Sequence, residues 1–117
     1  IYLWGDGSPM REFTYSKDAA KGILFLMDNY NGAEPINIGC TEEIIIKKLS
    51  SIICKNLDYN GEIVWDIDKP KGQMRKPSSN RNFLDIGWDN SSYTLIEEGI
   101  KRTCNWFKNE YPNIRGY

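Results

Sequence analysis

Ten residues near the start of this sequence, Trp4 to Phe13 (WGDGSPMREF), hold the side chains best suited to grip a ligand. Gly5 and Gly7 permit positive φ or a close backbone approach. Ser8-Pro9 imposes an extended or turn dipeptide, because the residue before proline is pushed out of the α region. The connection is therefore an ordered one, with Trp4 before the bend and Arg11 after it. A guanidinium fork suits phosphate or carboxylate, and an indole face suits a base or a sugar. The same residues also fit a plain hairpin with a core tryptophan and a solvated arginine.

A second stretch carries complementary chemistry. Lys69 to Arg81 (KPKGQMRKPSSNR) holds Lys69, Lys71, Arg75, Lys76 and Arg81 with no acidic residue, and Pro70, Gly72 and Pro77 make it a loop. In a chain of net charge −1, a local block of this kind points to an anion such as a diphosphate, or else to a solvated surface loop. It lacks the interleaved aromatics of a single-strand nucleic-acid binder, and nothing in the overall charge argues for nucleic acid or membrane.

Composition excludes several chemistries. The sequence has no histidine, so it offers no Ser-His-Asp or Cys-His nucleophile arrangement, no HExxH metal site and no imidazole base. Its three cysteines, Cys40, Cys54 and Cys104, form no CxxC pair and are odd in number, which suits a reducing cytoplasm better than a disulfide framework or a zinc site. No apolar run is long enough for a membrane span, and no signal-peptide pattern is present. At 117 residues, 40% hydrophobic, with 4 Trp, 7 Tyr and 4 Phe, the chain predicts one domain with a real core. Its start at Ile1, strand-like and without methionine, predicts a piece of a larger protein.

The elements that must position these residues read as α/β, with a few short strands and about four helices. Glu12–Tyr15 alternates as a strand, and Ser16 is the expected N-cap of a helix over 17–29 with Asp18 in its first turn. Ala20, Ile23, Leu24 and Met27 recur at i, i+3, i+4, i+7 and predict that helix's buried face; Met27 and Phe25 read as packing. Asn31-Gly32 stops it, and Pro35–Gly39 (PINIG) reads as a brief buried strand. A helix lies somewhere between Thr41 and Asn56, with Ile46, Leu49, Ile53 and Leu57 on one face. The β-branched run Ile44–Ile46 leaves its start open. Glu62–Asp66 reads as a strand. Ser78 or Ser79 is expected to cap a short helix over 80–86, ended by Gly87, with Trp88 in the core. Thr94-x-x-Glu97 forms a capping box for a last helix whose stripe is Ile96, Ile100, Thr103 and Phe107, supported by Cys104 as a small buried hydrophobe. Pro112 ends it, and Ile114–Tyr117 reads as a frayed tail.

Taken in order, WGDGSPMREFTYSKDAAKGI, EPINIG, NGEIVWD, KPKGQMRK and GIKRTCNWF resemble the GDP-L-fucose synthases, nucleotide-sugar members of the extended short-chain dehydrogenase/reductase family. The resemblance covers nearly the whole chain. It implies that residues 1–117 form the small C-terminal substrate-binding domain, without the Rossmann domain, of an NADP-dependent GDP-4-keto-6-deoxy-mannose 3,5-epimerase/4-reductase. It implies NADP bound by the N-terminal domain, catalytic residues outside this chain, and a cytoplasmic, homodimeric full-length enzyme with a GDP-sugar as its partner. The fragment alone is expected to be inactive. Consistent with that division, Gly5-x-Gly7 is not completed to GxGxxG, and Tyr15 and Tyr59 are followed four residues on by Ala19 and Ile63 rather than lysine.

By the same resemblance Trp4 takes the place of a substrate-contacting tryptophan, and Arg11 that of the arginine holding the diphosphate. Lys71 stands in the loop that meets the guanosine end, where some members have aspartate, and Arg75 and Lys76 match a basic pair in that loop. Ser16-Lys17-Asp18 replaces a common Val-Asp-Asp, and Ile45 stands where a Ser/Thr cap is expected. Other readings are the same domain acting on another GDP-deoxy sugar such as a heptose, and a stand-alone anion-binding module. An upstream GxGxxG unit and Tyr-x-x-x-Lys favour an enzyme.

Overall fold

A computed structural model describes residues 1–40 and 42–114. Thr41, the earliest start expected for the second helix, and residues 115–117 of the expected tail lie outside the described residues. In chain order the elements are β1 (Tyr2–Trp4), β2 (Met10–Glu12), α1 (Ser16–Asn29), β3 (Glu43–Ile45), α2 (Ile46–Asn56), β4 (Val64–Asp66), α3 (Arg81–Asp85), a 3₁₀ turn (Asn90–Ser92) and α4 (Ile96–Glu110). This is the mixed α/β composition that the patterning implies.

The strands form two pairs. β1 and β4 run parallel, with Tyr2 opposite Val64 and Trp4 opposite Asp66. β2 and β3 run antiparallel, with Arg11 opposite Ile44 and Glu12 opposite Glu43. The β-branched run is thus divided: Ile44 and Ile45 complete β3, where branching at Cβ is favoured, and Ile46 opens α2. The first N–H groups of α2 donate to the opening turn, Ile46 to Pro9 O at 3.0 Å and Lys47 to Gly7 O at 2.9 Å.

Two packing centres sit beside these strands. In one, Phe83 of α3 stacks on Trp88 at 4.9 Å between ring centroids, and Phe25 of α1 meets both rings edge-on. In the other, Leu49, Ile53 and Leu57 of the α2 face confront Ile100, Cys104 and Phe107 of α4 across an apolar groove of about 470 Å³. The predicted stripes of α2 and α4 both line this groove, Ile46 excepted.

Several expectations are corrected. The Ala20, Ile23, Leu24, Met27 stripe of α1 is exposed, Met27 by 73%. The side that α1 buries carries Asp18 and Gly22, which hydrophobic periodicity does not register. Ser16 is the first helical residue rather than the cap, and Tyr15 occupies the cap position without a side-chain hydrogen bond. Pro35–Gly39 forms no ladder with either of the two-stranded sheets. Side chains tie it instead: Asn37 donates to Ser79 O at 3.2 Å, and buried Asn80 donates to Gly39 O at 2.6 Å.

Asn80 also takes the cap position of α3, without capping through its side chain, while Ser78 turns away to Glu12. The capping box of α4 does not form. Thr94 gives its N–H to the Asp18 carboxylate at 2.7 Å, and α4 starts after Leu95. The strand expected at Glu12–Tyr15 lies instead at Met10–Glu12 as β2, whose pairing with β3 ends at Glu12 opposite Glu43. The real core expected from composition is thin. Among the described residues the buried hydrophobic ones are Cys40, Ile44, Phe83, Ile96 and Cys104. The Cα radius of gyration, 16.7 Å, exceeds the roughly 13 Å of a compact domain this long.

Candidate functional site

The two stretches singled out by their chemistry leave neighbouring parallel strands. β1 runs into the Gly5–Pro9 turn, and β4 runs into the basic loop, with Gly5 and Lys69 both donating their N–H groups to Asp66 O at 2.8 and 3.2 Å. The loop then crosses the turn. Gly5 has φ +79°, and a Cβ placed on it would stand 2.6 Å from Lys71 Cβ and 3.1 Å from Lys71 Cα, so only glycine admits the loop backbone here. Further along, Met10 donates its N–H to Met74 O at 2.8 Å, and Ser78 donates its N–H and hydroxyl to the Glu12 carboxylate at 3.1 and 2.5 Å.

This crossing brings Trp4, Arg11 and the loop together. Trp4 is 69% exposed, with Lys69 Nζ 6.0 Å from its ring centroid, so its indole is available rather than packed. Arg11 is half-buried, and Nη1 donates to Met10 O at 2.6 Å. Its Nη2 faces the loop, 3.6 Å from where a Cβ of Gly72 would stand. A guanidinium carries five N–H donors, so most of Arg11's donors remain for a ligand.

The other predicted residues are placed differently. Lys71 Nζ donates to Asp6 Oδ2 at 3.0 Å, and Asp6 Oδ1 accepts from Ser8 N–H at 3.0 Å and from the Ser8 hydroxyl at 2.6 Å. The Ser8 hydroxyl and N–H, then the Lys71 ammonium, hold the Asp6 carboxyl well below the usual carboxylate range. Arg75 pairs with Glu43, Nε at 2.7 Å and Nη2 at 2.5 Å from Oε2. That guanidinium lowers the Glu43 pKa, and Glu43 raises that of Arg75. Lys76 is exposed and belongs to neither ion pair.

Sequence reading missed the carboxylates Asp6, Glu12 and Glu43, which fasten the loop. A signal existed for one of them, since an aspartate inside a turn expected to hold an anion needs a counter-charge.

No metal-ligating cluster of three His, Cys, Asp or Glu occurs among the described residues. A dinucleotide needs a glycine turn that opens into a helix whose first N–H groups face its pyrophosphate. Here the turn opens into Pro9 and β2, and the first N–H groups of α2 are taken by Pro9 O and Gly7 O. Among the described residues this turn offers no such cradle for a pyrophosphate. The site is an open surface; the groove between α2 and α4 lies elsewhere and includes none of Trp4, Arg11 or Lys71.

Over residues 1–39 the chain is similar to the NAD dependent epimerase/dehydratase family. Within it, the likeness is to the GDP-L-fucose synthases. A GDP-L-fucose synthase of Sinorhizobium fredii is 37% identical over 107 residues, covering 92% of this chain and 33% of that protein. A GDP-L-colitose synthase of Yersinia pseudotuberculosis is 36% identical over 97% of this chain and 36% of its own length. The crystal structure of a GDP-L-fucose synthetase from Naegleria fowleri bound to NADP superposes with a TM-score of 0.90 at 37% identity, over 97% of this chain and 36% of that one. The chain thus spans about a third of the length of the curated relatives it matches. Among the described residues no helix is long and apolar enough to cross a membrane.

Proposed function

We propose that residues 1–117 are the C-terminal, GDP-sugar-holding part of an NADP-dependent GDP-4-keto-6-deoxy-mannose 3,5-epimerase/4-reductase that makes GDP-L-fucose. The observation that carries this is the placement of Arg11, rich in unused donors, on one turn with the open indole of Trp4, beneath a loop of cations. Arg11 takes the diphosphate bidentately, and Trp4 offers a flat face to the sugar or base. Lys76 and Lys69 add positive charge at the rim. Lys71 and Arg75 contribute first as fasteners of the loop, through Asp6 and Glu43. Charge-assisted hydrogen bonds are worth about 1.5–3 kcal/mol each. Arg11 with one lysine therefore supplies much of the preference for a nucleotide-sugar over a bare sugar. Binding energy gathered at the GDP end orients the reacting ring.

The chemistry belongs to the rest of the protein. This chain has no histidine and its turn offers no cradle for a pyrophosphate, so inversion of the carbons flanking the ketone and its reduction fall to groups outside it. A cytoplasmic homodimer is part of the same proposal. A GDP-L-colitose synthase matches as well as the fucose synthases do, so another GDP-deoxy sugar is the second reading.

Isothermal titration of GDP into the full-length protein tests the site. Arg11→Ala abolishes measurable binding, whereas Lys69→Ala weakens it only a few-fold. Equal losses from the two substitutions would mean a diffuse charge effect and would refute the assignment.

A further inference from the structure

A carboxylate stands where an anion is expected to bind. Asp6 lies in the turn between Trp4 and Arg11, and its oxygens accept from Ser8 N–H, the Ser8 hydroxyl and Lys71 Nζ at 3.0, 2.6 and 3.0 Å. Lys71 is its one cationic partner among the described residues. The Lys71 backbone is seated against Gly5, and the next residue, Gly72, adjoins the Arg11 guanidinium. The Lys71 ammonium is thus directed into the turn, toward the one negative charge there.

We propose that Lys71 is a positioning residue that acts through Asp6. The pair is a clasp that holds the basic loop on the Trp4–Arg11 turn and cancels a charge that otherwise repels a nucleoside diphosphate. This rests on reading the surface as a GDP site. Without Lys71, Asp6 faces the diphosphate uncompensated and the loop loses a fastening. Without Asp6, Lys71 has no charge to cancel, and its removal then costs the ligand little. A lysine touching phosphate directly behaves otherwise, since its loss weakens binding whatever stands at position 6.

The test is a double-mutant cycle on GDP affinity in the full-length protein, with Lys71→Ala, Asp6→Ala and the double variant. Lys71→Ala weakens GDP binding on the order of 5-fold, the range of one exposed charge interaction. In the Asp6→Ala background the same change alters affinity by less than about twofold, and Lys71→Arg retains wild-type affinity. Equal losses in both backgrounds overturn the proposal and make Lys71 a direct contact.

Trypsin reads the clasp without ligand. Cleavage of the Arg75–Lys76 bond accelerates alike in Asp6→Ala and Lys71→Ala, and an unchanged rate overturns the loop-fastening role. If the wild-type protein binds no GDP, the site reading falls and the ligand half of this proposal falls with it.

Discussion

Asp18 is the residue whose loss should be felt most widely. It is 1% exposed, in the first turn of α1, and accepts the Thr94 N–H at 2.7 Å. It therefore joins α1 to the entrance of α4. Lys21 lies 3.5 Å away but its side chain is 63% exposed, so it contributes under about 0.5 kcal/mol. Asp18→Ala orphans the Thr94 N–H, at about 1–3 kcal/mol. The expected loss is about 1–3 kcal/mol by urea denaturation at pH 7, followed by tryptophan fluorescence.

The pH dependence carries the sign of the argument. Burial works against the charge, but hydrogen bonding from Thr94 outweighs it and holds the Asp18 pKa below its ordinary value. A depressed folded-state pKa stabilises the fold above the unfolded-state value, near 4, and that contribution is lost as pH falls through the folded-state value. The gap between wild type and Asp18→Ala should thus be full at pH 6–7 and narrow as pH falls below about 4. A variant within 0.5 kcal/mol of wild type at pH 7 would refute the reasoning, as would a gap that widens in acid.

Two further outcomes follow from the geometry. Gly5→Ala places a Cβ at 2.6 Å from Lys71 Cβ on a backbone at φ +79°. It should cost about 1–3 kcal/mol and speed tryptic cleavage of the loop, both measurable on the purified chain. Cys40 and Cys104 are buried, burial raises the Cys104 pKa, and Cys54 is partly exposed. A thiol reagent should therefore label Cys54 rapidly and the other two only on unfolding; quick labelling of Cys104 would contradict its burial.

What the sequence disclosed and what it concealed differ by mechanism. α4 and the C-terminal part of α2 were legible because their apolar stripes face each other across one groove, and Gly87 was legible as a helix stop because it takes φ +108°. Caps were not legible. Thr94 has the chemistry of an N-cap, but a buried carboxylate 76 residues away in sequence takes its N–H. Pro35–Gly39 reads as a brief strand, yet what holds it is Asn37 donating to Ser79 O and Asn80 donating to Gly39 O, ties that no local pattern reports. For α1, periodicity marked Ile23, Leu24 and Met27, while contact fell on Asp18 and Gly22. At the site, residue types located Trp4, Arg11 and the basic loop. Asp6, inside the turn, already called for a counter-charge such as Lys71, whereas the pairing of Arg75 with Glu43 follows from the course of the loop alone.

The parallel pairing of β1 with β4 has a kinetic consequence. Asp6 and Lys71 are 65 residues apart, and α1, β3 and α2 all lie between them. Local helices form long before a closure of that span. A nascent chain therefore displays its glycine bend and its cations on separate segments, which meet only after the helices between them have formed. The crossing of loop over turn is thus a certificate of assembly, one that a half-folded chain cannot present.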